Sequence, residues 1–254
     1  MKILRHSLFA LFLFAGSLFS QEYIDIESQI ENDYGIDIIY DMAVQDTWSS
    51  VYYDICDSEE DLTRYMNILS DEISKYPYDY FELIGISQLV LGNNLAFSNQ
   101  ARAAIPDPYA STLYYSINGA YGAQDEIYLT HVFHHELHHC TEYSIWGDMY
   151  FDWDDWMLLN IDGFVYGDGG ASTYADTVTD YYSPGHPAEG FVNLYSMSGD
   201  EEDRCEIVAF IMTDAESAQV LELCKTDARL DKKVEMLREL FNALTGVDIL
   251  FPEE

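Results

Sequence analysis

The sequence predicts an α+β fold, on three observations. Short β-branched and aromatic segments separated by turn residues fill the first half of the chain. Helical periodicity dominates from residue 198 onward. Between them lies a histidine-rich stretch, Thr130-His131-Val132-Phe133-His134-His135-Glu136-Leu137-His138-His139-Cys140, with helical spacing. The expected architecture is a small mixed sheet over the histidine-bearing helix, with a helical C-terminal lobe.

The elements follow in order. Ile36-Asp37-Ile38-Ile39-Tyr40 reads as a short strand. Ser58-Glu59-Glu60-Asp61 has the form of a capping box, and Leu62, Tyr65, Met66, Leu69 and Ile73 then recur at three- and four-residue spacing. They mark an amphipathic helix ending before Pro77. Tyr80 to Leu91, Leu113 to Ile117 and Glu126 to Thr130 read as strands, with turn residues Asn118-Gly119 and Gly122 between the last two. The last of these would lead directly into the histidine-rich helix and offer an extended peptide a row of backbone partners. Residues 143–190 form an acidic, aromatic insert that suits a lid or wall beside a site. Asp152, Asp154 and Asp155 there lack a full calcium-loop signature. Ser198-Gly199-Asp200-Glu201 reads as a second capping box, opening a helix over Glu202 to Met212. A further helix covers Glu216 to Cys224. Another carries Leu230, Val234, Leu237, Phe241 and Leu244 on one face and stops at Gly246.

Composition narrows the function. The formal charge of −35 excludes nucleic acid and anionic membrane surfaces as partners, because both would repel the chain. A hydrophobic content of 48% and an aromatic content of 15% exclude disorder. Residues 1–20 have a basic start (Lys2, Arg5), an apolar run and small residues at Ala15, Gly16, Ser17 and Ser20. They read as a signal peptide, so residues 21–254 are expected as a single secreted or periplasmic domain, with two lobes meeting near 139–195. Export would permit disulfides among Cys56, Cys140, Cys205 and Cys224. A Cys140–Cys205 bridge would tie two site helices together, and four buried thiols are the alternative.

The chemistry centres on one HExxH: His135, Glu136 and His139. Residues four apart share a helix face, so both imidazoles can meet one ion. The neighbouring Glu suits a general base acting on water held there. His131/His135 and His134/His138 repeat the spacing, but neither pair has a Glu after its first member. Five of the seven histidines fall between 131 and 139, which a metal-storage helix would also explain. A hydrolytic zinc site needs a third protein ligand. Glu202 and Glu206, four apart at the start of a largely apolar helix, offer one carboxylate for the ion and another to accept the spare N–H of a ligand histidine.

His135-Glu136-x-x-His139, with Tyr195 seven residues before Glu202 and Glu206 four after it, resembles the gluzincin metallopeptidases. The branch containing anthrax lethal factor and the Pro-Pro endopeptidases is the most similar. Gly190-Phe191-Val192-x-x-Tyr195 with Glu202-Asp203-x-x-Glu206, and Trp156-x-x-Leu159-Asn160 with Phe164-x-Tyr166, also resemble secreted bacterial zinc-binding peptidases. The resemblance implies a zincin-like fold and one catalytic zinc ion held by His135, His139 and Glu202. It also implies Glu136 as base, Tyr195 as oxyanion partner, Glu206 as the outer carboxylate, and a peptide or protein substrate. The long gap from His139 to Glu202, the pair Arg204-Cys205 and the extra histidines depart from the family pattern. The rival readings are a peptidase-like zinc protein without turnover and a His-rich metal-binding protein.

Overall fold

The computed structural model describes residues 22–118, 125–170 and 182–252; the expected signal peptide and the turn around Gly122 lie outside them. Two compact units divide between residues 124 and 125. No helix of the described residues is long and apolar enough to cross a membrane.

The first unit holds a mixed six-stranded sheet, so the small mixed sheet is borne out. Its strands are β1 (Asp37–Ile39), β2 (Val51–Ile55), β3 (Gln88–Phe97), β4 (Gln100–Ala101), β5 (Ala104–Asp107) and β6 (Thr112–Asn118). The order along the main path is β1-β3-β6-β5. β1 and β6 run parallel to the first half of β3, while β2 and β4 pair antiparallel with its second half. Val90, Leu95, Ile105 and Tyr114 form a core packed by Ile39, Val51, Tyr53 and Phe97. Gly92 is required on β3, because a Cβ there would come within 2.7 Å of the Tyr53 ring. Helices α1 (residues 22–34), α2 (Glu59–Ile73) and α3 (Tyr80–Ile84) complete the unit. Ser58 caps α2 as expected, its hydroxyl accepting from the Asp61 N–H at 3.2 Å.

The second unit is helical: α4 (Glu126–Trp146), α5 (Asp154–Met157), α6 (Asp200–Met212), α7 (Asp214–Cys224) and α8 (Ala228–Thr245). Every residue of α6 is buried. Its first turn is four acids, Asp200 to Asp203, placed where the helix dipole favours negative charge.

Several expectations are corrected. Tyr80 to Ile84 is helical rather than extended. Gly85 ends that turn at φ 75°, and the strand begins only at Gln88. Glu126 to Thr130 is the first turn of α4, so the strand expected there is part of the histidine helix. Asp125 accepts from the Tyr128 N–H at 2.9 Å, and this cap overrides the strand preference of Ile127 and Thr130. The second capping box is absent: Gly199 is the N-cap without a side-chain bond, and Ser198 Oγ donates instead to the Tyr195 carbonyl at 2.7 Å. α7 begins at Asp214, two residues before the expected start. Strand β2 and the helix over residues 22–34 escaped the sequence reading. All four cysteines are free thiols, so Cys140 and Cys205 form no bridge.

Candidate metal centre

α4 and α6 run antiparallel, and their facing side chains build the site. His131, His135 and His139 are each four residues apart and form one stripe on α4. The His135 Nε2 and His139 Nε2 atoms lie 3.0 and 3.5 Å from the same Glu202 oxygen, Oε2. One turn along α6, Glu206 Oε1 lies 2.8 Å from His135 Nδ1. Asn193 donates its amide N–H to Glu206 Oε2 at 2.5 Å. The Tyr195 hydroxyl donates to Glu202 Oε1 at 3.2 Å. Glu136 sits on the same helix and is half-buried, more open than His135 and His139 on either side of it. Thus His135, His139, Glu202, Glu206 and Tyr195 converge, with Glu136 adjacent in the chain to His135.

The electrostatics follow from burial. Desolvation alone would pull the buried imidazoles down, but Glu202 and Glu206 outweigh it and raise His135 well above its ordinary value; Glu202 raises His139 likewise. Burial would push the carboxylates up, but the facing rings hold Glu202 far below the usual range and Glu206 down at about 2. Glu201 goes the other way: burial, then the Glu202 charge, push it up to about 7 against the pull of His139. Buried carboxylates of this kind call for compensating positive charge, which ring protons or a divalent cation can supply.

Two donor separations bear on whether a zinc ion would fit. Zinc bonds of about 2.0–2.2 Å place tetrahedral ligand atoms about 3.3–3.6 Å apart. The 3.5 Å separation falls inside that range and the 3.0 Å separation just short of it. Two sets of three candidate donor atoms lie within 4.8 Å of one another among the described residues: His131, His135 and Glu206, and His135, His139 and Cys205.

The five clustered histidines do not act together. His134 and His138 turn to another side of α4, where His134 meets the Phe133 ring edge-on and His138 lies tilted against Phe241. Burial lowers the His138 value although its Nε2 lies 3.3 Å from Glu142 Oε1.

Several contacts of the site had no sequence signal. His131 reaches Glu216 on α7, a contact no spacing rule foretells. Asn193 was passed over within Gly190-Phe191-Val192-x-x-Tyr195. The insert reaches the site through Gly167 and Gly169, whose N–H groups donate to the Met197 and Ser198 carbonyls at 3.1 and 2.8 Å. Gly170 follows, and a Cβ there would collide with Tyr195 Oη and Glu202 Oε1. Arg204, a departure from the resembled pattern, is fully buried and holds both Glu142 oxygens and Asp200, joining α6 to α4.

No protein-family model matches the chain, and no curated protein does. Among solved structures, the chain is similar to a "putative zinc-binding metallo-peptidase" from Bacteroides caccae ATCC 43185. The TM-score is 0.57 at 17% identity, covering 91% of this chain and 88% of that one. At that identity the likeness is one of fold, and it identifies the architecture as α+β and zincin-like.

Proposed function

We propose that this chain is a secreted or periplasmic zinc-dependent peptidase of the gluzincin type, related to the lethal factor and Pro-Pro endopeptidase branch. One catalytic ion is held by His135, His139 and Glu202. The observation that carries the reading is the single Glu202 oxygen shared by the two HExxH imidazoles at 3.0 and 3.5 Å. The name of the structural neighbour, zinc-binding and a peptidase, supports it.

Bound zinc supplies Lewis-acid activation of water and of the scissile carbonyl. The chain supplies the rest. Glu136 takes the proton of the attacking water and passes it to the leaving amine, a role its half-buried position and its attachment beside His135 permit. Glu206 holds the Nδ1 side of His135, so the Nε2 lone pair faces the ion. The Tyr195 hydroxyl, now on Glu202 Oε1, turns by rotation to the substrate oxygen as negative charge develops there.

The test combines metal content with turnover. The purified chain should hold one zinc and cleave an unstructured protein such as casein, and a chelator should abolish cleavage. Glu136→Gln should keep the zinc and lose about 10²–10⁴-fold in rate. Cleavage that survives this substitution sinks the base assignment, and several ions per chain would favour metal storage. N-terminal sequencing of exported protein tests the signal peptide.

A second reading is a zinc protein of this fold without turnover. The Gly170 backbone lying against Tyr195 and Glu202, where a substrate carbonyl would approach, favours it. A chain that holds one zinc and cleaves nothing in the casein assay would establish that reading.

A further inference from the structure

The histidine stripe continues one turn before the proposed ligands, and its outer member has a use the motif does not assign. Carboxylates and imidazoles alternate across the antiparallel helices with a one-turn stagger. Glu202 faces His139 and His135, Glu206 faces His135 and His131, and Glu216 on α7 faces His131. His131 Nε2 lies 3.2 Å from Glu206 Oε1, and Nδ1 lies 2.7 Å from Glu216 Oε2. The ring is also fixed edge-on against Phe210, with centroids 4.7 Å apart. His131 therefore meets Glu206 on the same oxygen that meets His135 Nδ1, while Asn193 anchors the other.

We propose that His131 is a positioning residue for the metal centre: clamped between Glu216 and Glu206, it holds the Glu206 carboxylate on His135 Nδ1 and so keeps His135 Nε2 aimed at the ion. The proposal rests on the zinc reading above. A glutamate side chain has three rotatable bonds, and Asn193 alone pins only Oε2. The bond from His131 stops Oε1 from swinging off the His135 ring. Both His131 nitrogens face carboxylate oxygens, so the ring donates at each end and passes the rigidity of α7 to α6. A buried histidine serving only as packing would need neither Glu206 nor Glu216.

The experiment measures zinc affinity of the full chain by competition with a chelator of known strength. It also records the His135 Nδ1 proton resonance in nitrogen-edited spectra. His131→Phe keeps the ring against Phe210 and removes both donors; it should weaken zinc by about 10–100-fold and shift or erase that resonance. His131→Gln, which retains an N–H within reach of Glu206, should recover part of the affinity. Glu216→Gln should move both readouts in the same direction by less. If His131→Phe fails to fold by circular dichroism, the two milder variants carry the test. A folded His131→Phe with zinc affinity within about twofold of the parent and an unmoved resonance overturns the proposal, even if its melting temperature falls. Wild-type protein that holds no zinc overturns the metal reading, and this one with it.

Discussion

Two buried charged clusters share helix α6, and they neutralise their carboxylates in opposite ways. Glu202 and Glu206 face the imidazoles of α4, whose positive charge is conditional on a proton and can be exchanged for a cation. Asp200 and Asp203 face permanent cations: Arg204 binds Asp200 and Glu142, and Lys233 lies 2.6 Å from Asp203 Oδ2. Trp156 Nε1 and the Tyr166 hydroxyl donate to the same Asp203 oxygen at 2.9 and 2.7 Å. Both partners of the Lys233–Asp203 pair are fully buried, and burial moves the lysine down and the aspartate up despite their attraction. The difference teaches which acids are available to a metal. One cluster is self-neutralised and holds helices together; the other is neutralised only by what it can exchange.

That contrast can be broken most severely at its permanent end. Lys233→Met leaves Asp203 as an uncompensated buried charge and should lower unfolding free energy by about 3–5 kcal/mol, measured by denaturant titration. Zinc held per folded molecule should not change. Loss of zinc from a still-folded variant would show that the two clusters are not separate.

The alkaline limb of stability sharpens the comparison next. His131 has its folded value raised to about 9, since Glu206 and Glu216 overcome burial. A raised value contributes stability that is complete below the unfolded value of 6.5 and disappears as pH climbs through about 9. Metal-free protein should therefore lose on the order of 3 kcal/mol over that window. The Arg204–Glu142 pair behaves otherwise. Burial raises Glu142, but Arg204 and His138 outweigh it and lower it below 4.5, so its share is lost only as pH falls into the acid range. Glu202 and Glu206, also lowered, add to that acid limb. Urea titrations of the chelated protein from pH 6 to 10 would check this, and a flat alkaline side would refute it.

Removing the exchangeable carboxylate is the third test. Glu202→Gln should weaken zinc by more than about 100-fold, the upper end for a partner that merely supports a ligand, while leaving the metal-free fold intact. Equilibrium dialysis against zinc reads the first expectation and thermal melting the second. The smallest effect is expected at the insert. Gly170→Ala places a methyl group against Tyr195 Oη and Glu202 Oε1, and should weaken zinc by about tenfold or less with secondary structure unchanged. Unaltered affinity would mean that the insert yields at no cost to the site.

The site was legible wherever its geometry is local. His135 and His139 share a face because any helix puts i and i+4 together, and Glu202 and Glu206 repeat that logic on a second helix. The fold was legible where periodicity ran long, as in α2 and α8, and illegible where a short apolar run suits either state. Tyr80 to Ile84 became a helix because Gly85 adopts a left-handed turn behind it, and Glu126 to Thr130 because Asp125 caps the chain there. Arg204 looked anomalous for the family it resembles, yet it is the cation that joins α6 to Glu142 of α4.

By itself, the chain's order of residues determined which helix faces carry imidazole and which carry carboxylate, because backbone periodicity needs no partner. Only the tertiary structure decided which of those groups meet. The antiparallel register of α4 on α6 set Glu202 between His135 and His139 and Glu206 between His131 and His135, and brought Glu216 to His131 across 85 residues of chain. Such contacts depend on how buried surfaces interlock, and spacing along one strand of sequence does not encode that register.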